Sequence, residues 1–212
     1  MIGRTLLQAS LLVLILAAHA MAHDYWIVAR PAMVKPGETV TIEICGGHQF
    51  PVSEFAVAVR LLHKLEITSP DGGVSGYLPE VAGKSLFAEW TPDQPGVYQI
   101  AFQLRRPREE KTLAFASALV VVGGNEFPAI RPRGQELEVV PALVDGKLEV
   151  SVFSSGKPIK ADVGFGREHV RQVYRTAYPD RPASFTSAGS GLHMMIARRG
   201  SQSAALTIYI PE

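Results

Sequence analysis

The chain has 212 residues, 47% of them hydrophobic and only 19% charged, which excludes a disordered or solvated spacer. Its 21 Lys+Arg stand against 20 Asp+Glu, and Arg4 near the start accounts for the difference. The rest of the chain is therefore neutral, which argues against nucleic acid or another polyanion as the main partner. A single Cys excludes an intramolecular disulfide.

Residues 1–22 read as a signal peptide. Arg4 lies in a short positive region, Leu11 to Ala18 form an apolar run, and Ala20-Met21-Ala22 is a small-x-small cleavage site. The run is shorter than the roughly 20 residues that a membrane span needs. The expected product is a soluble periplasmic chain with no membrane span. Cleavage there makes His23 the first residue, with an α-amine and an imidazole that can chelate one metal ion. Nitrogen donors of this kind suit Cu, Ni, Co and Zn rather than Ca or Mg.

Strand patterns dominate the chain from His23 onward. After the turn Lys35-Pro36-Gly37, Val40, Ile42 and Ile44 alternate with polar residues and predict a half-buried strand. Phe55 to Ile67 reads mostly as strand with a less clean period. Tyr98, Ile100, Phe102 and Leu104 alternate after Gln94-Pro95-Gly96, and Leu113 to Val122 is a longer apolar run. Residues 123–134, GGNEFPAIRPRG, read as a linker. Beyond it Leu148, Val150 and Val152 alternate, and strands are expected at Ile159–Phe165, 169–175, 191–198 and Ala204–Ile210. No amphipathic helix is evident. The spacing of turns predicts an all-β chain of two immunoglobulin-like β-sandwich domains, 23–122 and 135–212, joined by residues 123–134.

Five histidines lie beyond the leader: His23, His48, His63, His169 and His193. No HExxH, zinc-finger spacing, P-loop or GxSxG elbow occurs, so no catalytic residue is assigned. In Cys45-Gly46-Gly47-His48 the glycines can turn the backbone sharply after a strand. Alternation puts Cys45 on the Thr41/Glu43 side, where it reads as a small surface residue. His48, in a glycine-defined loop near Glu54, reads equally well as a ligand or a loop residue. His193 shares a strand face with Met195, opposite Leu192, Met194 and Ile196, and alone would be an exposed strand histidine. His63 beside Lys64, and His169 among Arg167, Arg171 and Arg175, sit next to cations that oppose metal binding. Asp24 can orient the His23 imidazole or cap a turn. Arg198 and Arg199 belong to a basic bias that reads as a solvated strand face.

The start AHDYWIV, the segment GGHQFPVSEF and the late GLHMMIARR together resemble bacterial exported proteins of the DUF4198 family. Members are described as NikM-like periplasmic components of nickel or cobalt transport systems. The resemblance implies a β-sandwich in which His23, His48 and His193 ligate a metal ion, nickel or cobalt, with a membrane transporter subunit as partner. Nitrogen ligation by itself suits copper or zinc as well. The residues also support two other readings: a copper enzyme in which His23 and a second His brace the metal, and a metal-free structural or adhesion sandwich.

Overall fold

A computed structural model describes residues 23–105, 112–167, 170–186 and 189–211. The first half holds β1 (Asp24–Arg30), β2 (Met33–Val34), β3 (Val40–Gly47), β4 (Leu62–Thr68), β5 (Val74–Gly76), β6 (Glu80–Ala82), β7 (Ser85–Trp90), β8 (Gly96–Arg105) and β9 (Thr112–Val122). The second holds β10 (Glu138–Val144), β11 (Lys147–Ser154), β12 (Lys157–Pro158), β13 (Ala161–Arg167), β14 (Val170–Ala177), β15 (Ala183–Phe185), β16 (Gly191–Arg199) and β17 (Gln202–Ile210). Apart from one 3-10 turn at Val59–Leu61, the described residues contain no helix, and none long and apolar enough to cross a membrane. The chain is all-β, built as packed sheets. The expected leader, residues 1–22, and His169 lie outside the described residues.

Three sheets share the work. A nine-stranded sheet runs β14-β13-β16-β17-β9-β8-β4-β5, with β2 added at β9. Two smaller sheets, β1-β3-β7-β6 and β10-β11-β12 with β15 on β11, pack against it. The halves join through the parallel pair β9–β17, which makes one continuous sheet of what the sequence divides at residues 123–134. Alternation along β9 explains how one strand serves both halves. Ala116, Ala118 and Val120 face one core, with Ile42 and Ile100, while Phe115 and Leu119 face the other, with Leu148 and Leu206. Each Val, Leu, Ile or Phe side chain so withdrawn from water contributes about 1.5–3 kcal/mol.

Strand β1 is enclosed on both faces. Ile27 and Ala29 point into the first core, whereas Trp26 and Val28 point the other way, onto Met194, Ile196 and Ala205 of β16 and β17. The small side chains Ala116, Ala118 and Ala205 line the face that β1 approaches. Cys45 pairs with Trp26 in the β1–β3 ladder and shares this second contact, so it is fully buried rather than at the surface. Both alternate faces of β3 are covered there, and alternation alone cannot reveal that.

The expected strand over Phe55 to Ile67 is shorter. Only Leu62–Thr68 pairs, and a bulge at Lys64, whose φ is +68°, breaks its period. Residues 123–134 carry no strand, as expected, yet Phe127 and Ile130 pack against the second core rather than hanging free.

Candidate functional site

Register brings two of the expected ligands together. In the antiparallel β1–β3 pair, Asp24 lies opposite Gly47, so His23, one residue before β1, meets His48, one residue after β3. Their ring centroids are 4.9 Å apart at an interplanar angle of 63°. Phe55 closes the cluster, its ring 4.6 Å from that of His23 and edge-on to it.

The loop after β3 fixes His48 and Phe55. The backbone N–H of Glu54 donates to the Gly46 carbonyl at 2.8 Å. The Ser53 hydroxyl accepts from the Gly46 N–H at 3.0 Å and donates to the Lys84 carbonyl at 2.7 Å, stapling the loop to β7's leading turn. The Trp26 indole N–H donates to the Pro51 carbonyl at 3.4 Å. Gly46 is required by close approach: a Cβ there would lie 2.6 Å from Cε2 of Phe55.

Glu54 holds the His48 ring. Its Oε2 is 2.8 Å from His48 Nδ1, and its Oε1 accepts the His48 backbone N–H at 3.1 Å. These hydrogen bonds from His48, side chain first and backbone second, keep the Glu54 carboxyl below its ordinary value. An ionised carboxylate only accepts, so Nδ1 carries the proton, and in the neutral ring Nε2 is the nitrogen with the lone pair. A carboxylate that orients a ligating imidazole through its far nitrogen is the usual support of a metal-binding histidine. In the sequence Glu54 stands only as a neighbour of His48, and a six-residue separation gives no sign of a contact across a loop.

Asp24 does not orient His23. Its carboxylate accepts from Nη2 of Arg198 at 2.6 and 2.7 Å, and Arg198 also lies over the Tyr174 ring. Burial pushes the Asp24 carboxyl up, and the Arg198 charge and hydrogen bonds oppose that shift. Arg198 is thus a buried-carboxylate partner and not part of a solvated face.

His193 stands apart. It is fully buried, its Nδ1 lies 2.8 Å from the Gly191 carbonyl, and its ring stacks on Phe165 with centroids 5.4 Å apart. Met194, Ile196 and Arg198 occupy the β16 face that meets β1, so His193 faces the opposite way. It is also five residues from Arg198, about 16 Å along the strand. The expectation that His193 joins His23 and His48 is corrected on these grounds, as is its reading as an exposed residue. His63 lies on β4, in another sheet from β1 and β3. Cys45 is sealed in the core with its thiol pKa pushed far up, by burial first and then by the Glu43 charge, which removes the thiolate as a ligand.

Among the described residues, no group of three His, Cys, Asp or Glu side chains could hold a metal ion. The donors that fit are the His23 and His48 imidazoles, with the α-amine of His23 if the chain begins there. Such an all-nitrogen set suits Cu, Ni, Co or Zn.

A family model described as a domain of unknown function, DUF4198, matches residues 20–192. No curated protein matches the sequence. Among solved structures, a segment of two fibronectin type-III domains from chicken tenascin matches at 10% identity and a TM-score of 0.30, covering 88% of this chain and 97% of that one. Escherichia coli alpha-2-macroglobulin activated by porcine elastase matches at 14% identity and a TM-score of 0.35, covering 89% of this chain and 20% of that one.

Proposed function

This chain belongs to the DUF4198 family, and we propose that it is a soluble periplasmic protein that binds a divalent transition metal for capture or delivery in uptake or homeostasis. In this reading residues 1–22 are removed on export and leave two immunoglobulin-like sandwiches. The His23 α-amine and imidazole chelate the ion, and Nε2 of His48 adds a third nitrogen. His193 has no part in it. Nickel or cobalt is the cargo by resemblance to NikM-like transport components, with a membrane transporter subunit as the recipient.

The observation that carries this reading is the meeting of His23 and His48 beside Glu54, 2.8 Å from His48 Nδ1. Two imidazoles are placed side by side, and one already has its tautomer set for ligation. Calorimetric titration with Ni, Co, Cu and Zn tests it. A chain beginning at His23 binds tightly, and an added N-terminal methionine abolishes tight binding. Equal affinity of the two chains removes the α-amine from the site.

A metal-free structural or adhesion sandwich is the second reading, favoured by the lack of a three-residue ligand group among the described side chains. Under it, no metal shifts the melting temperature, since a ligand specific to the folded state must stabilise it.

A further inference from the structure

The face of β8 that turns away from the first core is covered by the connector rather than by a sheet. Tyr98 and Ile100 point into the first core, so Gln99 points to the opposite face. The β10–β11 sheet covers the second half, and residues 129–133 cross the remaining surface. They leave a cavity of about 260 Å³. Its walls are mostly apolar, with Val97, Leu119, Val139 and Leu206 among them. It is smaller than the roughly 300–1,000 Å³ of pockets for drug-sized ligands, so its occupant is small.

Three polar side chains, Gln99, Arg131 and Arg133, line this cavity. Gln99 is only 7% exposed and lines the cavity. An occupant that displaces water from this amide must replace its hydrogen bonds. Arg131 and Arg133 are exposed where they line the cavity, and the Glu138 charge acts on Arg133 from the same wall. The one acid in the wall, Glu138, is already engaged. Its two carboxylate oxygens accept the Arg133 backbone N–H at 2.9 and 2.8 Å, and the Gly134 and Gln135 N–H groups also bond to it. Glu138 thereby pins the connector and sets the two arginines at the rim. Two cations against one anion leave a net positive mouth above an apolar interior with a single hydrogen-bonding group at depth.

We propose that this cavity binds a small organic monocarboxylate carrying a second hydrogen-bonding group: the carboxylate meets Arg131 and Arg133, the apolar body fills the interior, and the second group pairs with Gln99. The site is separate from His23 and His48 and stands whether or not the chain binds metal. Inorganic anions lack the body that the apolar walls require, and purely apolar molecules leave Gln99 unsatisfied.

The experiment is calorimetric titration of the metal-free chain with 4-hydroxybenzoate, benzoate and 4-hydroxybenzyl alcohol. 4-Hydroxybenzoate saturates the protein, and each of the other two, lacking one polar group, binds about tenfold more weakly. Gln99→Leu erases the preference for 4-hydroxybenzoate over benzoate. Arg133→Gln, at an exposed position, erases the preference for 4-hydroxybenzoate over the alcohol. Melting temperatures show that both variants remain folded. Failure of 4-hydroxybenzoate to saturate at millimolar concentration overturns the proposal, as does equal binding of all three probes or unchanged preferences in both folded variants.

Discussion

The Asp24 carboxylate and the Arg198 guanidinium, 174 residues apart, form two hydrogen bonds at 2.6 and 2.7 Å between β1 and β16. This contact ties the strand that follows His23 to the far half of the molecule. Removing the guanidinium leaves a carboxylate that is only 8% exposed without its charged donor. Arg198→Ala is expected to lower stability by about 1.5–3 kcal/mol, the range for hydrogen bonds to charged groups. Urea denaturation measures it. The double variant Asp24→Asn/Arg198→Met should recover part of the loss, because an unpaired buried charge costs more than an absent pair. A loss below about 0.5 kcal/mol would mean that the pair behaves as an exposed one.

Thr207 on β17 gives a prediction of opposite sign. It is 1% exposed, and its hydroxyl is the buried side-chain group without a hydrogen-bond partner among the described residues. Its neighbour across the ladder is Met194, in an apolar contact. Thr207→Val keeps the shape and removes the unpaired hydroxyl, so stability should rise by about 1 kcal/mol. Denaturant midpoints at constant slope are the check, and a loss of stability contradicts the assignment.

Glu138 makes a prediction about pH. Burial raises its carboxyl above the ordinary 4.5, and the backbone N–H groups of Arg133, Gly134 and Gln135 only partly offset that. The folded chain therefore takes up this proton before the unfolded chain does. As pH falls through the raised folded value towards 4.5, stability gains from this group; as pH rises again, the gain is lost. Glu138→Gln abolishes this component. The stability of wild type relative to the variant should increase on acidification through that window, measured by denaturation at a series of pH values. A difference that stays constant with pH contradicts the raised value.

Much of the fold is legible in the sequence because alternation is a direct record of one buried face. Ile42 and Ile44 of β3, and Ile100 and Phe102 of β8, all point into the first core as their period-two pattern requires. The failures occur where that record is silent. Cys45 and Trp26 sit where a second layer covers the other face, so polar alternation near them misleads. His193 misleads for the same reason, since the β16 face it occupies is the inner face of the second half. The short strands β5 and β6 are exposed throughout and carry no pattern to read. At the candidate site, the residue types of His23 and His48 are visible in the sequence, but their meeting depends on the β1–β3 register, and Glu54 on a loop closed by Ser53. Residues 129–133 read as plain linker because a cavity under a connector has no sequence period.

The central claim is that His23 and His48 ligate the same ion. X-ray absorption of the nickel-loaded chain beginning at His23 counts the imidazoles on the metal. Two are expected in the wild-type chain and one in His48→Ala, with Glu54→Gln keeping two at weaker affinity. An unchanged imidazole count in His48→Ala, or no nickel bound by the wild-type chain, would contradict the account.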